Sequence, residues 1–233
     1  MPADRFYFDG PLIQGASLQL EDPEHHHLSR VMRIAVGEEV DLINGKGAHA
    51  KAKVSSIDKR STTVRLTYVQ TASIPQQQII LAVPLMRPNK LELIVEKGTE
   101  LGADGFWFYP AHFSEKTELS INQLERLRYL AISAMKQSGR LFLPSFELLA
   151  SLDAMNGFLL FGDTRSDAPS ILHLEIQAKT IFITGPERGF SPEEVEQLGK
   201  KGKGVKLNTN ILRAETAPLA AMSVLSLLLS KSS

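Results

Sequence analysis

The chain contains no cysteine among its 233 residues. That absence excludes a disulfide framework, a thiolate zinc site and a cysteine nucleophile, and it fits a reducing, cytoplasmic setting. Net charge is missing too: Lys+Arg and Asp+Glu both total 26. Any polyanion-binding surface must therefore come from local clustering. The amino-terminal MPADRFYFDG carries acids and lacks an apolar run, so it does not read as a signal peptide. Pro218 to Leu229, the longest apolar stretch, is too short for a bilayer and reads as a buried helix. A GxxxxGK[ST] phosphate loop is absent, and the first strand of the α/β part runs into Pro84-Leu85-Met86-Arg87-Pro88 instead of GxGxxG. Three consecutive histidines, His25 to His27, point about 100° apart on a helix, so one ion cannot easily collect them. With no HExxH or spaced His/Asp set elsewhere, no metal site is expected.

What is present is an ordinary apolar content of 43%, enough for a packed core. Residues 1 to 72 read as β-rich. Glu39 to Ile43 meets the turn chemistry of Asn44-Gly45-Lys46-Gly47, and Ala48 to Ile57 and Ser61 to Val69 follow as strands. Pro23 to Met32 reads as a short helix. Together these suggest a small barrel. The polar run Thr71 to Gln78 is the expected linker, leaving 73–233 as a second domain.

In that second domain strands alternate with helices, the pattern of a parallel α/β sheet. Strands are expected at Ile79–Val83, Phe106–Tyr109, Phe158–Phe161, Thr180–Ile183 and Val205–Leu207. A helix after Pro88 is read with Asn89 as cap and Glu92 completing the box. It places Leu91, Ile94, Val95 and Gly98 on one face and ends at Gly102. Further helices are expected at Asn122–Ser138, closed by Gly139, and at Thr216–Leu229. Ser191-Pro192-Glu193-Glu194 starts another, with serine cap and glutamate box. The tight loop Gly185-Pro186-Glu187-Arg188-Gly189, judged on its residues alone, binds an anion, a nucleotide or nothing. Arg30 and Arg33 lie about one turn apart beside His27, with Arg5, Lys46, Lys51 and Lys53 in the same β-rich part. They form either a solvated face or an RNA-binding one. Arg87, Lys90 and Lys97 read equally as surface charge.

Several ordered segments make the sequence more specific. Ile183 to Ser191 with Glu194 resembles an "IGPEGG-S--E" loop, and Leu207 to Ala217, LNTNILRAETA, resembles "LG-RILR-ETA". His27 to Arg33 resembles "H--RVLR", and Asn44 to Gly47 a "DG-G" turn. Lys90 to Gly102 resembles "K-E-----K--ELG", and Gln137 to Arg140 with Pro144 resembles "EQSGR--(V/L)P". These are motifs of the ribosomal RNA small subunit methyltransferase E family, uridine-N3 methyltransferases of the SPOUT class.

The resemblance implies a PUA-like β-barrel followed by an α/β trefoil knot, a rare exception to unknotted chains. It implies S-adenosyl-L-methionine held by three loops, with Leu160, Gly162, Thr184, Gly185, Pro186, Glu187, Gly189, Leu207, Asn210, Ile211, Leu212 and Arg213 as donor-binding residues. RNA contacts are carried over to Arg5, His27, Arg30, Arg33, Arg87, Lys90 and Arg140. A homodimer and an assembled ribosomal subunit as substrate are implied as well. The alternatives are a SPOUT enzyme acting on transfer RNA or another ribosomal site, and an inactive RNA-binding or assembly protein.

The chemistry agrees with that family. Methylation of uracil carbon 5 normally needs a cysteine, and radical methylation a cysteine-bound cluster. Transfer to nitrogen needs positioning and loss of a weakly acidic proton. Arg213 is expected to stabilise the uridine anion, and Glu215 to orient Arg213 or take the proton. The chain departs from the pattern at Arg188, Asn208 and Asn210. Arg188 is expected to restrict the cofactor loop, and Asn208 to keep its turn through a left-handed backbone. The arginine gained at 188 and missing at 210 form a candidate compensating pair.

Overall fold

The computed structural model describes residues 5–231. The chain forms two compact units. The first ends at Ile74 and also takes in Met135–Leu143; the second comprises Pro75–Ala134 and the chain from Pro144.

In the first unit β1 (Arg5–Tyr7), β2 (Ser17–Leu20), β3 (Glu39–Ile43), β4 (Ala48–Ile57) and β5 (Thr62–Thr71) form one sheet, ordered β1-β3-β4-β5-β2. β1 pairs parallel to β3 and the other pairs are antiparallel. Alternate residues of β4 and β5 face inward, so Ala50, Ala52, Val54, Val64 and Leu66 pack with Phe6, Leu20, Leu28 and Leu42 in one core. The turn at Asn44 forms as its residues predict. Asn44 Oδ1 accepts from the N–H groups of Lys46 and Ala48 at 2.9 and 3.1 Å. Gly45 and Gly47 have φ of 69° and 92°, and a Cβ on either would strike Leu143 or Phe142. The Gly47 N–H donates to Leu141 and the Leu143 N–H to Gly45, so residues 141–143 lie against this turn.

The histidine helix is short: α1 (Glu24–His26) continues as a π-helical turn over His27–Met32. Its three imidazoles diverge. His25 is buried, with Nδ1 2.8 Å from Thr62 Oγ1, so it is neither solvated nor available to RNA. His27 packs 5.7 Å from Phe6, and His26 is exposed.

The second unit carries a six-stranded sheet ordered β11-β9-β10-β6-β7-β8, every pair parallel. Its strands are β6 (Gln78–Pro84), β7 (Gly105–Tyr109), β8 (Ser145–Leu148), β9 (Phe158–Gly162), β10 (Lys179–Ile183) and β11 (Gly202–Val205). Beyond Gln78 and Lys179 the central strands β6 and β10 are buried throughout, as expected where helices cover both faces. These helices include α2 (Pro88–Leu101), α4 (Pro192–Lys201) and α5 (Thr216–Lys231), while α3 (Ile121–Ser138) starts in this unit and ends in the first.

The local readings change at three points. The cap of α2 is Arg87 rather than Asn89, because Pro88 takes the first helical position, where its missing N–H costs nothing. Glu92 pairs instead with Arg126 at 3.5 Å. The last strand ends at Val205 rather than starting there. Its Gly202 is needed because a Cβ would lie 2.8 Å from the Leu159 carbonyl oxygen, and that glycine hides the strand signal. Short β1, β2 and β8 are strands that alternation did not mark. The box on α4 forms in full: the Ser191 hydroxyl accepts from the Glu194 N–H, and the Glu194 carboxylate accepts from the Ser191 N–H at 2.8 Å.

Candidate active site

Three neighbouring parallel strands, β11, β9 and β10, release their carboxy-terminal loops at one end of the sheet. Ligands of open parallel sheets bind in such crevices. Here the three loops line a cleft of about 860 Å³, well within the size of small-molecule sites.

Each loop is held by specific bonds. At the end of β10, the Thr184 N–H donates to the Ala82 carbonyl at 3.0 Å, and the Thr184 carbonyl accepts from the Tyr109 hydroxyl at 2.7 Å. Burial pushes the Tyr109 phenol well above its ordinary pKa, so it remains a donor. Pro186 to Gly189 closes as a turn, the Gly189 N–H donating to Pro186 with φ of 77° at Gly189. Arg188 does not have a positive φ, so the arginine costs this loop no backbone conformation. After β11, Asn208 Oδ1 accepts from the Asn210 N–H at 3.0 Å. Asn208 thus keeps its turn through a side-chain bond and not through a left-handed backbone, which among the described non-glycine residues only Arg33 adopts.

Of the expected donor-binding residues, Gly162, Thr184, Gly185, Pro186, Glu187 and Gly189 line the cleft, as do Leu207, Asn210, Ile211, Leu212 and Arg213. Leu160 does not; its side chain is fully buried in β9 and packs in the sheet. Asp163, Arg165, Phe190 and Lys206 also line the cleft and were not read from the sequence. The signal for Asp163 was its place directly after β9. Its carboxylate binds the Arg165 guanidinium at 2.7 Å, and this contact holds the carboxyl below its usual range.

The acidic and basic residues are arranged differently from the sequence expectation. Glu215 is mostly buried, whereas Arg213 is 86% exposed and reaches Glu215 only at 4.0 Å. The closer cation to Glu215 is Lys90, 3.3 Å away, and Lys90 also donates to Glu187. That hydrogen bond lowers the Glu187 pKa and raises that of Lys90. Lys90, expected among the RNA contacts, lies within the cleft wall. Arg87 forms a two-point contact with Glu115 at 2.7 and 3.1 Å, which raises its pKa. In the first unit Arg30 and Arg33 are exposed, while Arg5, His27 and Arg140 are half-buried. Among the described residues no cluster of three metal-ligating side chains occurs.

Residues 73–226 match the RNA methyltransferase domain family, and residues 20–67 match the RNA methyltransferase PUA domain. The chain is 30% identical to the ribosomal RNA small subunit methyltransferase E of Aquifex aeolicus, over 91% of this chain and 95% of that one. The chain belongs to that family. The Rickettsia conorii member is 29% identical, with 98% of this chain and 97% of that one covered. A crystal structure of the Neisseria gonorrhoeae ribosomal RNA small subunit methyltransferase E bound to S-adenosyl methionine has a TM-score of 0.86 at 26% identity. It covers 97% of this chain and 98% of that one. The fold implied by the sequence motifs, a PUA-like barrel before an α/β-knot methyltransferase domain, is the fold of this family member.

Proposed function

We propose that the protein transfers a methyl group from S-adenosyl-L-methionine to N3 of one uridine in small-subunit (16S) ribosomal RNA. The observation that carries this reading is the convergence of the three loops on one cleft, with Lys90 joining Glu187 of the β10 loop to Glu215 of the segment before α5. The cleft suits such a donor. Glycines at 162, 185 and 189 leave backbone groups open to it, Leu207 and Leu212 supply apolar wall, and the carboxylates of Glu187 and Glu215 balance a cation.

When bound, the donor supplies an electrophilic methyl group on its sulfonium sulfur. The chain's part is to align the uracil ring and remove or compensate its N3 proton. Arg213, exposed at the cleft, takes the role of stabilising the uridine anion. Glu215, held by Lys90, takes the role of proton acceptor; orientation of Arg213 by Glu215 is the weaker of its two expected roles at 4.0 Å. Arg30 and Arg33 supply phosphate contacts from the first unit, to which His27, Arg5 and Arg140 also belong.

A homodimer and an assembled small subunit as substrate belong to the same reading. The described residues hold no helix long and apolar enough to cross a membrane, and a cytoplasmic location belongs to the same reading. Mass spectrometry of 16S ribosomal RNA nucleosides from cells with and without the gene tests the assignment. Loss of 3-methyluridine on deletion is expected; its persistence, or loss of a methylated nucleoside from transfer RNA instead, contradicts it.

A further inference from the structure

Arg188 sits on the cofactor loop at a position where the family motif has glycine, and its side chain has a defined place. The guanidinium carbon lies 4.2 Å from the centroid of the Phe113 ring. Phe113 in turn takes the edge of His112, with ring centroids 4.6 Å apart at 87°. This tier is not loose. The His112 N–H donates to Glu194 Oε1 at 2.9 Å, and the other oxygen of that carboxylate accepts from the Ser191 N–H at 2.8 Å. Glu194 is itself buried, so one carboxylate fixes both the loop after β7 and the start of α4.

Arg188 lines the cleft and is exposed, and no carboxylate of the described residues pairs with its guanidinium. Arg87, Lys90 and Arg165, by contrast, each face a carboxylate. A planar cation backed by an aromatic ring, with its other side open at a cleft, is a stacking surface for a nucleobase. A lysine would provide the charge without the plane.

We infer that Arg188, backed by Phe113, is a stacking platform for an unpaired RNA base at the mouth of the cleft. It thereby sets this enzyme's hold on the nucleotides around its target. The inference rests on the reaction proposed above, but its readout is RNA affinity and not turnover. The shared chemistry, a nucleobase, could also come from the methyl donor, so both affinities are needed.

The test uses small ribosomal subunits lacking the modification, bound to the full-length protein in filter assays, with donor affinity measured by calorimetry. Arg188→Lys, Arg188→Ala and Phe113→Leu are each expected to weaken subunit binding about tenfold, the size of one lost base stack. Donor affinity should stay within about twofold, well below such a stack. Wild-type affinity in Arg188→Lys overturns the inference, because a phosphate contact needs only the charge. Donor affinity falling in step with the substitutions overturns it in favour of the donor's own base. A silent Phe113→Leu removes the platform and overturns it too. If the affinity pattern holds but the wild type transfers no methyl group, only the assigned reaction fails.

Discussion

Lys90 Nζ lies 3.3 Å from Glu215 Oε2 and donates to Glu187 Oε1, so one ammonium ties the loop after β10 to the segment that leads into α5. Neither carboxylate is near Lys90 in sequence. The contact exists because β6, which leads into α2, lies beside β10 in the sheet. Lys90→Met should therefore lower kcat on the order of 10- to 100-fold by letting the two segments separate, while Lys90→Arg keeps part of the activity. Single-turnover methyl transfer at saturating donor measures this. Equal loss in both variants would show that geometry, not charge, is what Lys90 supplies.

The same clamp has a pH signature. The Glu187 pKa is lowered by its hydrogen bond to Lys90, so the stability it contributes is present above its ordinary 4.5 and is lost as pH falls through the lowered value. The Lys90 pKa is raised, so its contribution is present below 10.5 and is lost as pH rises through the raised value. The difference in urea midpoint between wild type and Lys90→Met should be flat between 4.5 and 10.5 and shrink outside that window. A difference that grows on acidification contradicts the pairing.

Most of this architecture was legible from periodicity, because buried parallel strands and boxed helices carry strong local signals. The capping box at Ser191 and the glycine turn at Gly45 and Gly47 follow directly from residue type. What escaped was set by tertiary contact. Met135–Leu143 joins the first unit through backbone bonds to Gly45 and Gly47, which no local pattern announces. Within the site, the motifs identified the loops, whereas the partner of each charge depended on strand order. That is why Lys90 and Arg87 read as RNA contacts and yet face Glu215, Glu187 and Glu115.

Tyr109 holds the loop after β10 through its bond to the Thr184 carbonyl. Tyr109→Phe leaves that carbonyl without this donor in a fully buried place and should cost about 1–2 kcal/mol of stability. Because Thr184 lines the cleft proposed to hold the donor, donor affinity should fall as well. Thermal melting with and without donor checks both. A fall in melting temperature with unchanged donor affinity would confine Tyr109 to the core.

Gly98 faces the sheet from α2, where an added Cβ would meet the Phe106 ring at 2.8 Å and Leu81 at 3.2 Å. Alanine raises helix propensity by about 1 kcal/mol, but overpacking a rigid core costs about 1–3 kcal/mol. Both contacting side chains are fully buried, so neither can swing out into solvent. Gly98→Ala should thus destabilise the protein on balance, seen as a lower urea midpoint at unchanged slope. A stabilised variant would mean that the ring moves aside at little cost.

Arg30 and Arg33 are the exposed cations of the first unit's helical turn, and Arg33 has a backbone φ of 57°. A simple Arg33→Ala would mix lost charge with a left-handed alanine, so the informative substitution is Arg33→Gly, which adopts that φ freely. If both side chains meet phosphates, the pair Arg30→Ala with Arg33→Gly should release about two fewer counterions on RNA binding. The slope of log affinity against log salt should then drop by roughly 1.4–1.8. Affinity should fall uniformly across RNA sequences, with donor binding unaffected. Filter binding over a salt series measures the slope, and an unchanged slope assigns these arginines to the solvated surface of the fold.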